Sequence, residues 1–170
     1  SLAQEIIFLW QHPSDCRNLS WVMLPQHSKG IGSEIHVNTA ALGWAMNHNA
    51  IFLWNWSQWM SPPYCHIQSF ECIFESATNC SLNSPFALQR LDLARRVVPP
   101  MNNFMSGWTD VPFAFSNFST TPFSLLYWWR AQAVLFLTRY NENFRREMTL
   151  YAATKARIDI DCGTVCVYVR

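Results

Sequence analysis

Charge is scarce in this sequence. Only 14% of its 170 residues are Asp, Glu, Lys or Arg, and the formal net charge is +1. No basic field is therefore present to hold nucleic acid non-specifically. Long uninterrupted apolar runs are also missing. The most apolar long window, 123–137, is broken by Arg130 and Gln132, so no transmembrane helix is expected. The opening residues Ser1-Leu2-Ala3-Gln4-Glu5 carry no basic region, and the apolar run 6–10 that follows is too short for a secretory leader. The chain starts like an internal segment, which would put any targeting information upstream.

Several motifs are absent as well. There is no CxxC pair, which weakens zinc-ribbon and thioredoxin-like readings. His12 with Cys16, and Cys65 with His66, lack structural-zinc spacing, and no metal site is expected. No Gly-Lys-Ser/Thr follows the glycine turn at 30–32, which excludes a Walker site. No carboxylate pair has a general acid/base signature; Asp159 and Asp161 share a connector and carry no such signal.

What is present is apolar bulk. Half the residues are hydrophobic, with nine tryptophans and twelve phenylalanines. That load excludes disorder. It fits one domain with a real core, or one lobe whose apolar faces need a partner lobe. Six cysteines accompany four Asn-x-Ser sequons, at Asn18, Asn55, Asn79 and Asn117. Together they favour a lumenal, disulfide-permissive setting.

The periodicity predicts a helix over 2–10, stopped near His12-Pro13, and a strand over 19–24 closed by Pro25. A polar loop, 26–32, leads to a helix over 33–47, with Ser33 as its N-cap and Ile35, Thr39, Leu42 and Met46 on one face. Asn47 and Asn49 can stop it, and 50–54 reads as a buried parallel strand. Residues 55–85 look like a disulfide-braced excursion with a short strand near 72–74. Ser84-Pro85 marks a helix to about residue 94 or 96. Residues 99–122 read as an ordered, aromatic-rich loop. The strongest helix, 123–140, is apolar almost all round and expected to be buried. A second, 141–155, puts Phe144, Met148 and Tyr151 on one face. The chain ends in a buried-strand pattern, 165–169, followed by Arg170. Alternating strands and helices give an α/β domain with a parallel sheet.

In such sheets ligands bind at the carboxyl ends of the strands. The stretch Lys29-Gly30-Ile31-Gly32-Ser33-Glu34-Ile35-His36 lies there, between a strand and a helix. A glycine turn of this kind lets backbone approach a phosphate at a helix N-terminus, although two glycines are also common for conformational reasons alone. A dinucleotide fingerprint would need a third glycine where Ile35 stands, and an acid after the second strand, where Asn-Trp-Ser-Gln-Trp follows Trp54. A nicotinamide or flavin oxidoreductase is thereby disfavoured. His36 reads as a structural histidine or as a donor near a bound phosphate or sugar. Glu34 would repel a phosphate if it faced the site, and is expected to point away. Arg170 reads either as a grip on a diphosphate or as a solvated terminal residue.

The turn G-x-G-S-x-x-H, the helix holding Trp128-Trp129-Arg130-Ala131-Gln132 and Leu137-Thr138-Arg139, and the final V-x-V-R strand resemble the GDP-fucose fucosyltransferases. The α1,6-fucosyltransferase branch and its O-fucosyltransferase relatives are nearest in pattern. The helix followed by Pro13-Ser14-Asp15-Cys16 fits the same order. The resemblance covers roughly 5–80 and 122–170, and 82–121 matches poorly. It implies a Rossmann-like parallel-sheet lobe, the N-terminal half of a GT-B-like glycosyltransferase. Residues 1–170 would form that single lobe, truncated before the donor-binding C-terminal lobe that would pack on it.

Carried over residue by residue, the resemblance puts Gly30, Ile31, Gly32 and Ser33 beside GDP. It matches His36 to a turn histidine and gives Arg170 the diphosphate. It implies a Cys16–Cys80 disulfide, which leaves Cys65 with Cys72 as a candidate second bridge. The activity implied is transfer of fucose from GDP-fucose to a glycan or protein hydroxyl, with inversion, no cofactor and no required metal. The setting would be the Golgi or ER lumen. Catalytic residues are expected beyond Arg170, and this chain alone would be inactive or nearly so. Tyr168 stands where the family commonly has histidine, and Tyr140 where it commonly has proline. The first departure supports an alternative: a non-catalytic secretory glycan- or partner-binding pseudoenzyme.

Overall fold

The computed structural model describes residues 1–24, 30–54, 70–82, 96–97, 111–118 and 122–155. They form a mixed α/β arrangement. In order come α1 (Leu2–Gln11), β1 (Ser20–Val22), α2 (Ile31–Asn47) and β2 (Ala50–Phe52). A 3₁₀ turn at Phe70–Cys72 and another at Phe113–Phe115 precede α3 (Pro122–Leu137) and α4 (Glu142–Lys155). Among the described residues no helix is long and apolar enough to cross a membrane.

Helix α1 buries Ala3, Ile7 and Gln11, one residue every four, so a single stripe faces inward. It ends where His12 folds back. The His12 N–H donates to the Phe8 carbonyl at 2.9 Å, and the imidazole stacks on the Phe8 ring at 4.0 Å. Pro13 then cannot continue the helix.

β1 and β2 pair in parallel, with Ser20 opposite Ala50, Trp21 opposite Ile51 and Val22 opposite Phe52. The Val22 carbonyl accepts from Leu53 N–H at 2.8 Å, while the Trp21 carbonyl accepts from Val97 N–H at 2.8 Å. Successive carbonyls of a strand point to opposite edges. The Arg96–Val97 segment therefore lies on the far side of β1, where Trp21 and Arg96 make a parallel bridge. β1 is thus the inner strand.

The outer edge of β2 is closed by α1. Gln11 Oε1 accepts from Phe52 N–H at 3.1 Å, and Trp10 Nε1 donates to the Ala50 carbonyl at 3.4 Å. Side chains of one helix thus occupy groups that would otherwise be an open sheet edge.

The two strand faces serve different neighbours, as the two-residue period demands. Val22 and Phe52 join the main core with Ala41, Leu42, Ala45, Trp129, Ala133 and Phe136. Trp21, Ile51 and Leu53 join a second cluster built around Cys16 and Cys80, packed by Met23 and Leu82. Cys16 and Cys80 form a disulfide that closes a 64-residue separation, the pairing the resemblance implies.

The N-cap of α2 is Gly30, not Ser33. Gly30 is extended at φ −67° and ψ 161°. Its carbonyl already accepts from Ser33 N–H at 3.0 Å and Glu34 N–H at 3.2 Å, so Ile31, Gly32 and Ser33 are the first helical turn. At the other end Asn49 takes the left-handed conformation, φ 51°, which asparagine tolerates better than most residues. It turns the chain directly into β2.

Two other expectations are corrected. The short strand near 72–74 is a 3₁₀ turn ending at Cys72, followed by one antiparallel bridge between Phe74 and Tyr140. Helix α3 is buried on one side only. Trp129, Ala133, Phe136 and Leu137 are sealed, whereas Tyr127 is 54% and Leu135 58% exposed. Apolar residues all round its circumference mark no side as the inner one; packing on α2 and α1 does that. On α4 the face shared by Phe144, Met148 and Tyr151 is half open: Phe144 packs on Tyr140 at 5.0 Å, while Met148 is 49% and Tyr151 60% exposed. Periodicity says which residues share a side, not whether anything lies against it. The helix expected over 85–96 falls almost wholly outside the described residues, and the strand over 165–169 wholly outside them.

Two measurements check the frame. The double variant Cys16→Ser, Cys80→Ser is expected to lose about 4 kcal/mol in urea unfolding, the chain-entropy value for a loop of this size. Gln11→Leu is expected to lose about 1–3 kcal/mol, because it strands the buried Phe52 N–H.

Candidate functional site

The carboxyl ends of β1 and β2 face the first turn of α2 and the segment 70–82. The N–H groups of Ile31 and Gly32 lie too early in α2 to find a carbonyl four residues back. The helix dipole adds partial positive charge at the same place. Gly30, Gly32 and Ser33 are exposed and Ile31 is half-buried.

Gly30 is a favourable N-cap residue, but Gly32, inside the first turn, is needed neither for local conformation nor for packing. No glycine among the described residues has positive φ, and a Cβ at Gly30 or Gly32 would meet nothing within 4 Å among the described residues. Glycine in a helical turn costs roughly 0.5–1 kcal/mol relative to alanine. The turn therefore carries a small stability cost that its own fold does not require.

Glu34 is buried, 4% exposed, one position beyond this turn. Its backbone carbonyl accepts from Asn38 Nδ2 at 2.8 Å. His36 follows, half-buried in the second turn. Burial holds its pKa below the ordinary value of 6.5, and the nearby positive charge of Arg130 on α3 lowers it further. At neutral pH the ring is uncharged, with one nitrogen a donor and the other an acceptor. In the sequence Arg130 stands out only as the charge interrupting the apolar run of α3; its place beside His36 comes from packing.

Phe74 joins this turn to the strand ends. It is buried against Ile31, Ile35, Ile73 and Trp54. Beyond it, a cavity of about 170 Å³ opens at the carboxyl ends of both strands, lined by Met23, Leu53 and Trp54 and by part of 71–82. Glu71 and Glu75 line it as well, and neither stood out in the sequence. Glu75 is flanked by Arg139 Nε at 3.2 Å and an Arg145 Nη at 3.4 Å.

The segment 70–82 is fixed from several directions. Thr78 Oγ1 donates to the Gln11 carbonyl and accepts from Cys80 N–H. Asn79 Nδ2 donates to the Pro13 carbonyl at 2.9 Å. Asn141 N–H donates to the Ile73 carbonyl at 3.0 Å, and Glu75 N–H to the Arg139 carbonyl at 2.7 Å. Asn141 also caps α4, its Oδ1 accepting from Phe144 N–H at 2.7 Å.

Of the expected site residues, the structure brings Gly30, Ile31, Gly32, Ser33 and His36 into one and a half turns of α2. Arg170 and Cys65 lie outside the described residues. Cys72 is disulfide-bonded, to a partner outside them. No protein-family model matches the chain, and no curated protein matches it.

A histidine NMR titration tests the His36 environment. Its midpoint is expected below 6.5, and Arg130→Gln is expected to raise it partway, because burial is the larger cause. With the folded pKa below the unfolded one, the unfolded chain takes up the proton first. This residue's contribution to stability is therefore intact above about pH 6.5 and falls as pH drops toward the folded pKa.

Proposed function

We propose that this chain is the N-terminal, Rossmann-like lobe of a GT-B-like glycosyltransferase that moves fucose from GDP-fucose to a glycan or protein hydroxyl. The observation that carries the reading is the parallel strand–turn–helix unit, whose first helical turn is open and keeps a glycine, Gly32, that its own fold does not require. Such a turn suits a close backbone approach by a phosphate. The Cys16–Cys80 bridge supports the same reading, since it is the connectivity the family resemblance implies.

On this reading Gly30, Ile31, Gly32 and Ser33 present backbone to the GDP diphosphate, and uncharged His36 offers a hydrogen bond nearby. Arg170 is assigned the diphosphate by resemblance alone. Negative charge developing on the leaving GDP is met by N–H groups and guanidinium, without a metal. A second lobe supplies the remaining nucleotide contacts and the catalytic residues, and the setting is the lumen of the secretory pathway. A non-catalytic glycan- or partner-binding protein is the second reading, favoured by Tyr168 in place of the family's histidine.

Thermal-shift titration of the full-length protein with GDP, GDP-fucose, UDP and NAD tests the proposal. Stabilisation by the GDP ligands alone is expected, and a response to NAD overturns it. Gly32→Ala sharpens the test. It is expected to leave stability unchanged or raise it by about 0.5–1 kcal/mol, while GDP affinity falls about tenfold or more as the methyl displaces a charged hydrogen bond. Turnover of GDP-fucose by the full-length protein then separates the enzyme from the binding protein.

A further inference from the structure

We propose that the cavity at the carboxyl ends of β1 and β2 is a binding site for one neutral sugar residue. Its size sets the first limit. At about 170 Å³ it lies well below the ~300 Å³ where pockets for drug-sized ligands begin, which limits the occupant to something of the order of one small ring.

The lining sets the chemistry. Met23, Leu53 and Leu82 give the cavity an apolar side, continuous with the cluster beneath the sheet. Glu71 and Glu75 give it a side rich in hydrogen-bond acceptors. Two hydroxyls in the wall already donate their protons within the fold: Ser76 Oγ to the Thr78 carbonyl at 2.8 Å, and Thr78 Oγ1 to the Gln11 carbonyl. Toward a ligand these two can only accept, as the carboxylates do, so the polar side of the cavity selects for hydrogen-bond donors.

Charge selects among ligands. A cation is disfavoured, because Glu75 already has Arg139 at 3.2 Å and Arg145 at 3.4 Å. An anion would meet two carboxylates. A wholly apolar ligand would strip water from those carboxylates without replacing its hydrogen bonds. A sugar fits both sides: its hydroxyl edge donates to Glu71 and Glu75, and its C–H face lies on Met23, Leu53 and Leu82. The proposal stands on the cavity's lining and goes beyond the nucleotide-sugar reading of the α2 turn.

The test is saturation-transfer NMR on the full-length protein with free fucose, mannose, glucose and N-acetylglucosamine, and with methylammonium and acetate as charged probes. One or more of the sugars is expected to bind with a Kd on the order of 1 mM, and the charged probes are not. Leu82→Trp, which fills the cavity, is expected to abolish the signal. Glu71→Gln keeps the shape of an exposed side chain, so it preserves the test if Leu82→Trp fails to fold; it is expected to weaken binding about tenfold. Absence of binding by every sugar, tighter binding of methylammonium, or sugar binding unmoved by Glu71→Gln overturns the proposal. A GDP response without sugar binding sinks this site and leaves the donor reading standing; sugar binding without a GDP response does the reverse.

Discussion

The arrangement of this chain depends on the fully buried amide of Gln11. Its Oε1 takes the Phe52 N–H and its backbone carbonyl takes the Thr78 hydroxyl. One residue at the end of α1 thereby closes the outer edge of β2 and fixes the segment that walls the cavity. The Oε1 half of the amide is satisfied, whereas Nε2 is buried with no hydrogen-bond partner among the described residues, so the amide specifies the arrangement through its oxygen at a desolvation cost on its nitrogen. The Cys16–Cys80 bridge joins the same two stretches covalently. The side-chain knot sets register, and the disulfide limits how far the unfolded chain can stray from it.

Closing that edge gives the sheet a direction. β1 has neighbours on both sides, β2 on one and Arg96–Val97 on the other. With α1 against β2, the described residues leave further parallel pairing to the side beyond Arg96–Val97. The chain leaves β1 toward β2 on one side and later returns on the other, which makes the end of β1 a point where the strand order reverses direction. Open α/β sheets bind ligands at such points. The exposed first turn of α2 sits there for topological reasons that do not depend on any family likeness.

Legibility follows the kind of signal each element carries. The strand–turn–helix–strand unit is readable because its apolar runs are short and bounded by Pro25, by the two glycines and by Asn49. α1 is readable because Ala3, Ile7 and Gln11 repeat at helical spacing and Pro13 ends the pattern. The cap of α2 is not, because serine is the better side-chain cap while Gly30 wins on backbone conformation alone. The inner side of α3 is illegible because its sequence is apolar on every side; Trp129 and Tyr127 differ in burial through their neighbours. In the candidate site, the glycine turn and His36 are visible as a motif. Glu71, Glu75 and Arg130 are not, because each is placed by a residue far away in sequence: Asn141, whose Nδ2 donates to the Glu71 carbonyl, Arg139 and Arg145 for Glu75, and the packing of α3 on α2 for Arg130.

Phe74 is where the two candidate binding features meet. Its ring is buried against Ile31 and Ile35 of α2 and against Trp54 after β2, and it stacks on Tyr140 at 5.4 Å. Trp54 belongs to both: it packs on Phe74 and also lines the cavity at the strand ends. The exposed first turn of α2 and the carboxyl ends of the two strands are thereby tied together through one small apolar cluster, so a change in the packing of Phe74 is felt at both.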